Sequence, residues 1–119
     1  MLVSASDSVA AALSGALDGL ALRQRVAADN IANMDTPSFT AATVDFESSL
    51  RAALADGKVT GAEVAPATGF STNPAGANGN NVDLATETMT ATQSVFQYQL
   101  LTRAVGDRYS LVTTAIGGM

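Results

Sequence analysis

Apolar positions in the first third of the chain recur at alternating gaps of four and three: Leu13, Leu17, Leu20, then Gln24, Ala27, Ile31 and Met34. That spacing keeps one seam of an α-helix turned toward a partner helix, and it predicts a long helix over residues 4–34. Ser4, Ser6, Asp7 and Ser8 offer N-cap oxygens, and Pro37 forbids continuation at the other end. Gly15 and Gly19 interrupt this helix away from the seam, at a cost of up to about 1 kcal/mol each relative to alanine. A missing side chain there is either tolerated or admits another backbone. A second seam, Leu84, Ala91, Val95, Tyr98, Thr102, Val105, Tyr109, Val112 and Ile116, predicts a helix over residues 83–118. Asp83 and Glu87 place acceptors and negative charge at its start, and Gly117 and Gly118 terminate it.

Between them, residues 35–82 hold one amphipathic stretch, about 43–55, with Phe46, Leu50, Ala53 and Leu54 on one face and Gly57 as its stop. Residues 57–82 are dominated by Gly, Ala, Thr, Asn and Pro, with Val59, Val64 and Phe70 isolated, so loop or short extended segments are expected. The expected fold is a single domain over residues 1–119, mainly α. Its two long terminal helices form an antiparallel coiled-coil hairpin, joined by a short helix and a Gly/Asn/Ala-rich irregular middle segment.

Both long helices are also apolar behind their seams. Leu22 and Val26 lie on the back of the first; Met89, Phe96, Leu100, Ala104 and Leu111 lie on the back of the second. A two-helix hairpin in water has polar outer faces unless something covers them. Leu22, Val26, Met89, Phe96, Leu100 and Leu111 are therefore expected at subunit interfaces. The alternative is a small helical-hairpin interaction module, cytoplasmic or secreted, that closes into a two-fold dimer.

Composition narrows the chemistry. Hydrophobic residues make up 47% and mean hydropathy is +0.21, but much of this is alanine, which contributes little burial energy. The net charge is −5 with six scattered basic residues, so no basic stripe exists to track nucleic acid. With no cysteine and no histidine, the usual nucleophile pairs, general bases and zinc ligands are missing, and catalysis would rest on carboxylates. Asp45 and Glu47 are two apart and do not share a helix face; Asp83 and Glu87 are accounted for by a helix N-terminus. The run from Gly76 to Asp83 holds a single carboxylate where a calcium loop uses several. Arg25 with Asp29 and Arg103 with Asp107 read as surface pairs. No catalytic residue, metal, cofactor or small-molecule substrate is expected. A secretory signal pattern and a membrane-spanning window are also missing.

The string Val26-Ala27-Ala28-Asp29-Asn30-Ile31-Ala32-Asn33-Met34-Asp35-Thr36-Pro37-Ser38-Phe39 resembles the N-terminal signature of bacterial flagellar basal-body rod and hook proteins. Asn30, Ile31, Ala32, Asn33, Asp35, Thr36 and Pro37, with Asp45-Phe46-Glu47 and Asn80, Asn81, Val82, Asp83 and Leu84 before Glu87, are similar to the proximal-rod type, the FlgB family. The resemblance covers both ends and the small helix, leaving residues 57–76 without support. It implies a non-enzymatic subunit that stacks helically, through its terminal helices, into the drive shaft carrying torque from rotor to hook. It also implies partners among other copies of itself and other rod proteins, and contact with the export gate and membrane-ring base. Such chains cross the cytoplasmic membrane unfolded, through the flagellar type III apparatus, with no cleaved signal peptide. Where the family usually has Gly-Tyr or Gly-Phe and a basic residue, this chain has Ser38, Phe39 and Thr40, a departure that bears on any positive-φ turn at that position.

Overall fold

A computed structural model describes residues 2–56 and 65–117, with side chains placed over 9–55 and 65–107. The elements in chain order are α1 (Leu2–Ala32), β1 (Ala42–Asp45), α2 (Glu47–Asp56), β2 (Ala67–Phe70) and α3 (Leu84–Gly117). The two long helices pack together, antiparallel: Ala12, Leu13 and Ala16 share a cleft with Gln97, Leu100 and Leu101, while Val26 and Ala27 share another with Thr86, Glu87 and Thr90.

Burial does not follow the leucine seam. On α1 the most buried residues are Ala16, Leu20, Ala27 and Asn30, and on α3 it is Ser94, with Leu101 packed against the core cluster of Ala16, Leu20 and Phe46. The contact face of α1 is turned toward its small residues because α1 meets the middle segment as well as α3. Alanine, glycine and serine let neighbouring chain approach closely, whereas a leucine row holds it off. Gly19 shows this directly. A Cβ there would collide with the Phe46 ring, so the glycine is a socket for a side chain, and neither a tolerated gap nor a seat for another backbone.

The short helix begins later than its hydrophobic pattern predicts, because residues 42–45 are drawn into a strand. β1 pairs antiparallel with β2, Ala42 opposite Phe70 and Asp45 opposite Ala67. The Asp45 carboxylate then starts α2 by accepting from the Ser48 amide (3.0 Å) and hydroxyl (2.6 Å). Phe46 and Ala53 are buried and Leu50 is half-buried, whereas Leu54 is exposed. Asp83 caps α3 in the same way, accepting from the Ala85 amide and the Thr86 hydroxyl. α1 already begins at Leu2, so Ser4, Ser6, Asp7 and Ser8 lie within the helix and do not cap its start; the stop expected at Gly57 lies outside the described residues.

The Cα trace spans 66 × 27 × 14 Å. Measured between Cα atoms, its thinnest dimension accommodates two packed layers, with helix axes about 8–10 Å apart and Cα atoms about 2.3 Å from each axis. With no third layer, each of the two leaves its outer face without cover from its own protein.

Candidate functional site: an asparagine junction and two open helix faces

Five asparagines gather where α1 ends, β1 begins and the chain turns into α3. Asn30 is 1% exposed, and its amide copies a β-strand partner: Nδ2 donates to the Ala42 carbonyl (2.9 Å) and Oδ1 accepts from the Ala42 amide (3.0 Å). Asn81, also buried, accepts from the Ala41 amide (2.6 Å) and donates to the carbonyls of Ser71 and Asn73 (both 3.2 Å), clamping the entrance of β1 to the exit of β2. Asn80 donates to the carbonyls of Asn33 and Thr36 (both 2.8 Å), which also accept the turn's own Thr36 and Phe39 amides, so it ties the turn that follows α1 to the strand exit. Asn33 closes the helix locally on Asp29 (2.8 Å), and Asn78 accepts the Ser38 amide at its backbone carbonyl (2.9 Å). The described residues leave no buried side-chain polar atom without a partner.

Ser38 adopts φ 61° and faces Gly79 at φ 78°. A Cβ on Gly79 would come within 3.2 Å of the Ser38 Cα. A serine thus takes the left-handed turn at position 38, and Gly79 provides the room.

A second cluster fixes the corner between β1 and α2. Arg23 reaches across to Glu47 (2.5 Å), donates to the Val44 carbonyl (2.8 Å) and lies 4.9 Å from the centre of the Phe46 ring. The hydrogen bond from Arg23 holds the Glu47 carboxyl below the usual glutamate range. Asp45 is lowered as well, first by the Ser48 hydroxyl. This is the one ion pair among the described residues; Arg25 with Asp29 and Arg103 with Asp107 do not close.

The residues expected in the interhelix seam divide. Leu20 and Ala27 are buried, Leu13, Leu17, Gln24, Ile31 and Val105 are half-buried, and Met34, Val95 and Tyr98 are exposed. Side chains of Tyr109, Val112 and Ile116, and of Leu111 on the opposite face, lie outside the described residues. Of those expected between subunits, Leu22 and Val26 are half-buried, while Met89, Phe96 and Leu100 are 63%, 61% and 51% exposed. In the motif, Asn30 and Asn81 are buried, Ile31, Asn33 and Val82 half-buried, and Ala32, Asp35, Thr36, Pro37 and Asp83 exposed. Sequence reasoning missed Arg23, Ser94 and Gly79, and it singled out Gly19 without its partner Phe46. Asn78-Gly79 is a turn signal that could have located the junction, but nothing local pairs Arg23 with Glu47.

These asparagines lie within or opposite the stretch that a family model covers. The model described as "Flagella basal body rod protein" matches residues 12–40, the C-terminal two thirds of α1 and the turn that follows it. The chain is 36% identical over 108 residues to the flagellar basal body rod protein FlgB of Borreliella burgdorferi, an alignment covering 72% of this chain and 78% of the relative. The chain belongs to the FlgB-type flagellar basal body rod proteins. A shorter match, 58% identical over 38 residues, covers 32% of this chain and 28% of the FlgB protein of Borrelia hermsii. As a member of this family it is a structural subunit of the rod and resides in the flagellar basal body. Among the described residues no helix is long and apolar enough to cross a membrane. Family membership does not favour the closed two-fold dimer.

Proposed function

We propose that this subunit stacks helically with further copies of itself and with other rod proteins, both terminal helices lying in the wall of the shaft that carries torque from rotor to hook. The row Met89, Phe96 and Leu100 carries this reading: three large apolar side chains, each more than half exposed, on one face of a thin, elongated body. A radius of gyration of 18.0 Å compares with about 13–14 Å for a compact domain of this length. Torque through a tube of small subunits needs lateral contacts on several sides, and helices left apolar on their outer faces supply them.

The role is non-enzymatic, with Asp45 and Asp83 engaged as helix caps and Glu47 in an ion pair with Arg23. The subunit crosses the cytoplasmic membrane unfolded, through the flagellar export apparatus, keeps its N-terminus, and meets the export gate and membrane-ring base at the foot of the rod. Its terminal helices become fully ordered on assembly.

The test is complementation in a strain lacking the gene. The wild-type chain restores swimming and rod assembly, whereas Ile31→Asp and Leu100→Asp do not. Full rescue by both variants would sink the reading, and an intact mass showing N-terminal processing in isolated basal bodies would sink the export route.

A further inference from the structure

An asparagine followed by glycine is the pairing most prone to lose its side-chain amide, because glycine leaves the next backbone nitrogen unshielded. The chain holds one such pair, Asn78-Gly79, and both residues are exposed. We propose that Asn78 is a deamidation site, reactive in the unfolded chain and held in check by the folded asparagine junction. The other asparagines are poorer substrates. Asn73 precedes Pro74, whose nitrogen has no proton to lose; Asn30, Asn80 and Asn81 are buried and, like Asn33, precede residues that carry side chains.

In the reaction a base takes the proton of the Gly79 backbone N–H, and the nitrogen attacks the Asn78 Cγ. The C–N bond of the side-chain amide breaks, ammonia leaves with a proton from water, and a succinimide ring remains. Water then opens the ring at either carbonyl. One product is aspartate. The other is isoaspartate, in which the main chain runs through the former side chain and is longer by a methylene. Water is consumed and ammonia released, with no oxidant or reductant.

The fold engages each group this reaction needs. The Gly79 N–H donates to the Gly76 carbonyl (3.0 Å), so removing its proton sacrifices a hydrogen bond. Asn78 Oδ1 accepts from the Asn80 amide (3.1 Å), which holds the carboxamide in an Asx turn. The Asn78 carbonyl accepts from the Ser38 amide (2.9 Å), and the Gly76 amide donates to the Asn80 carbonyl (2.9 Å), so the peptide between 78 and 79 is restrained on both sides. Asn80 anchors this loop to the carbonyls of Asn33 and Thr36. Ring closure therefore waits on an opening of the junction that breaks several hydrogen bonds together.

The product matters to the same junction. In isoaspartate the carbonyl that accepts the Ser38 amide becomes a carboxylate off the main chain, and Gly79 is displaced from a seat where a Cβ would already come within 3.1 Å of the Ser38 Oγ. An altered chain cannot close the junction as the native one does. The inference does not rest on the export route proposed above, although a chain kept unfolded on that route forgoes the protection.

The test incubates the purified full chain in mildly alkaline buffer, with and without guanidinium chloride, and follows released ammonia and the peptide containing residue 78. Isomerisation at Asp18-Gly19 or Asp56-Gly57 releases no ammonia and does not register. Deamidation at 78 is expected to be about ten-fold or more slower in buffer than in denaturant, since several hydrogen bonds must open at once. Asn78→Gln should remove most of the ammonia released in denaturant. Asn80→Ala, with helices retained by circular dichroism, should react faster than wild type in buffer and equally fast in denaturant; where that variant loses its helices, the wild-type comparison decides. Equal wild-type rates in buffer and denaturant, or an Asn80→Ala rate unchanged in buffer, overturn the protection. Ammonia that persists in Asn78→Gln, or that maps to another asparagine, overturns the site. The isoaspartate form, isolated and returned to buffer, should lose exchange protection at the Ser38 amide, and unchanged protection there overturns the stated consequence.

Discussion

Replacing Asn30 with alanine removes both partners of the Ala42 peptide at once. The Nδ2 and Oδ1 bonds, 2.9 and 3.0 Å, come from a side chain 1% exposed, so water cannot readily take their place. Leaving a buried backbone donor or acceptor unpaired costs about 1–3 kcal/mol each, and a net loss of about 2–4 kcal/mol is expected. That is a large fraction of the roughly 5–15 kcal/mol that typically separates folded from unfolded chain. Asn30→Asp is worse near neutral pH, because a carboxylate then faces the Ala42 carbonyl oxygen. Burial and that oxygen raise the aspartic acid's folded-state pKa above its ordinary value of about 3.9. The protonated acid can donate to Ala42 as the amide does. The variant's deficit relative to wild type is therefore smallest below about pH 4 and grows as pH rises through the raised folded-state pKa. Urea unfolding followed by circular dichroism at pH 3.5 and pH 7, with exchange protection of the Ala42 amide as the local readout, measures both parts. An Asn30→Ala loss below 0.5 kcal/mol (roughly the scatter of a surface substitution) with unchanged Ala42 protection would refute the reasoning. So would an Asn30→Asp deficit that does not change with pH.

Other substitutions probe the remaining contacts. Gly19→Ala gains about 1 kcal/mol of helix propensity yet should destabilise by about 1–3 kcal/mol net, since its methyl collides with Phe46; urea midpoints check this, and pairing it with Phe46→Ala should remove most of the penalty. Ser38→Gly should raise stability by up to about 1 kcal/mol by relieving a non-glycine residue at φ 61°, read as a higher melting temperature. The Glu47 carboxyl is depressed by Arg23, so its contribution is present above the unfolded glutamate pKa of about 4.3 and fades as pH falls through the lower folded value. Glu47→Gln should accordingly flatten the wild-type loss of stability between pH 5 and 3, an effect kept small by the solvent exposure of the pair.

The positions of the long helices were legible in the sequence, because helix limits rest on neighbouring residues: Asn33 closes on Asp29, Pro37 blocks extension, and Asp83 caps the helix it precedes. The resemblance in Asn30 to Pro37 led to the right family for a related reason, since one continuous string contains most of the turn. Which way the helices face was not legible. A heptad pattern marks every position that could bury a large side chain, but Val95 and Tyr98 stay exposed while Ala16, Gly19 and Ser94 take the contacts. Choosing among those positions requires knowing that Phe46 and β1 also press on α1.

The strand pair and the asparagine junction depend still more on tertiary structure. Ala42–Asp45 and Ala67–Phe70 are too short for alternation to declare them, and each finds its partner more than twenty residues away. Asn80 meets Asn33 across 47 residues, and Asn81 meets Ala41 across 40. The sequence alone determined two amphipathic helices, a stop between them and an axial-filament signature, because those properties are local. The fold decided which polar side chains would substitute for strand partners and which apolar face would be left open, because both depend on what the returning chain covers.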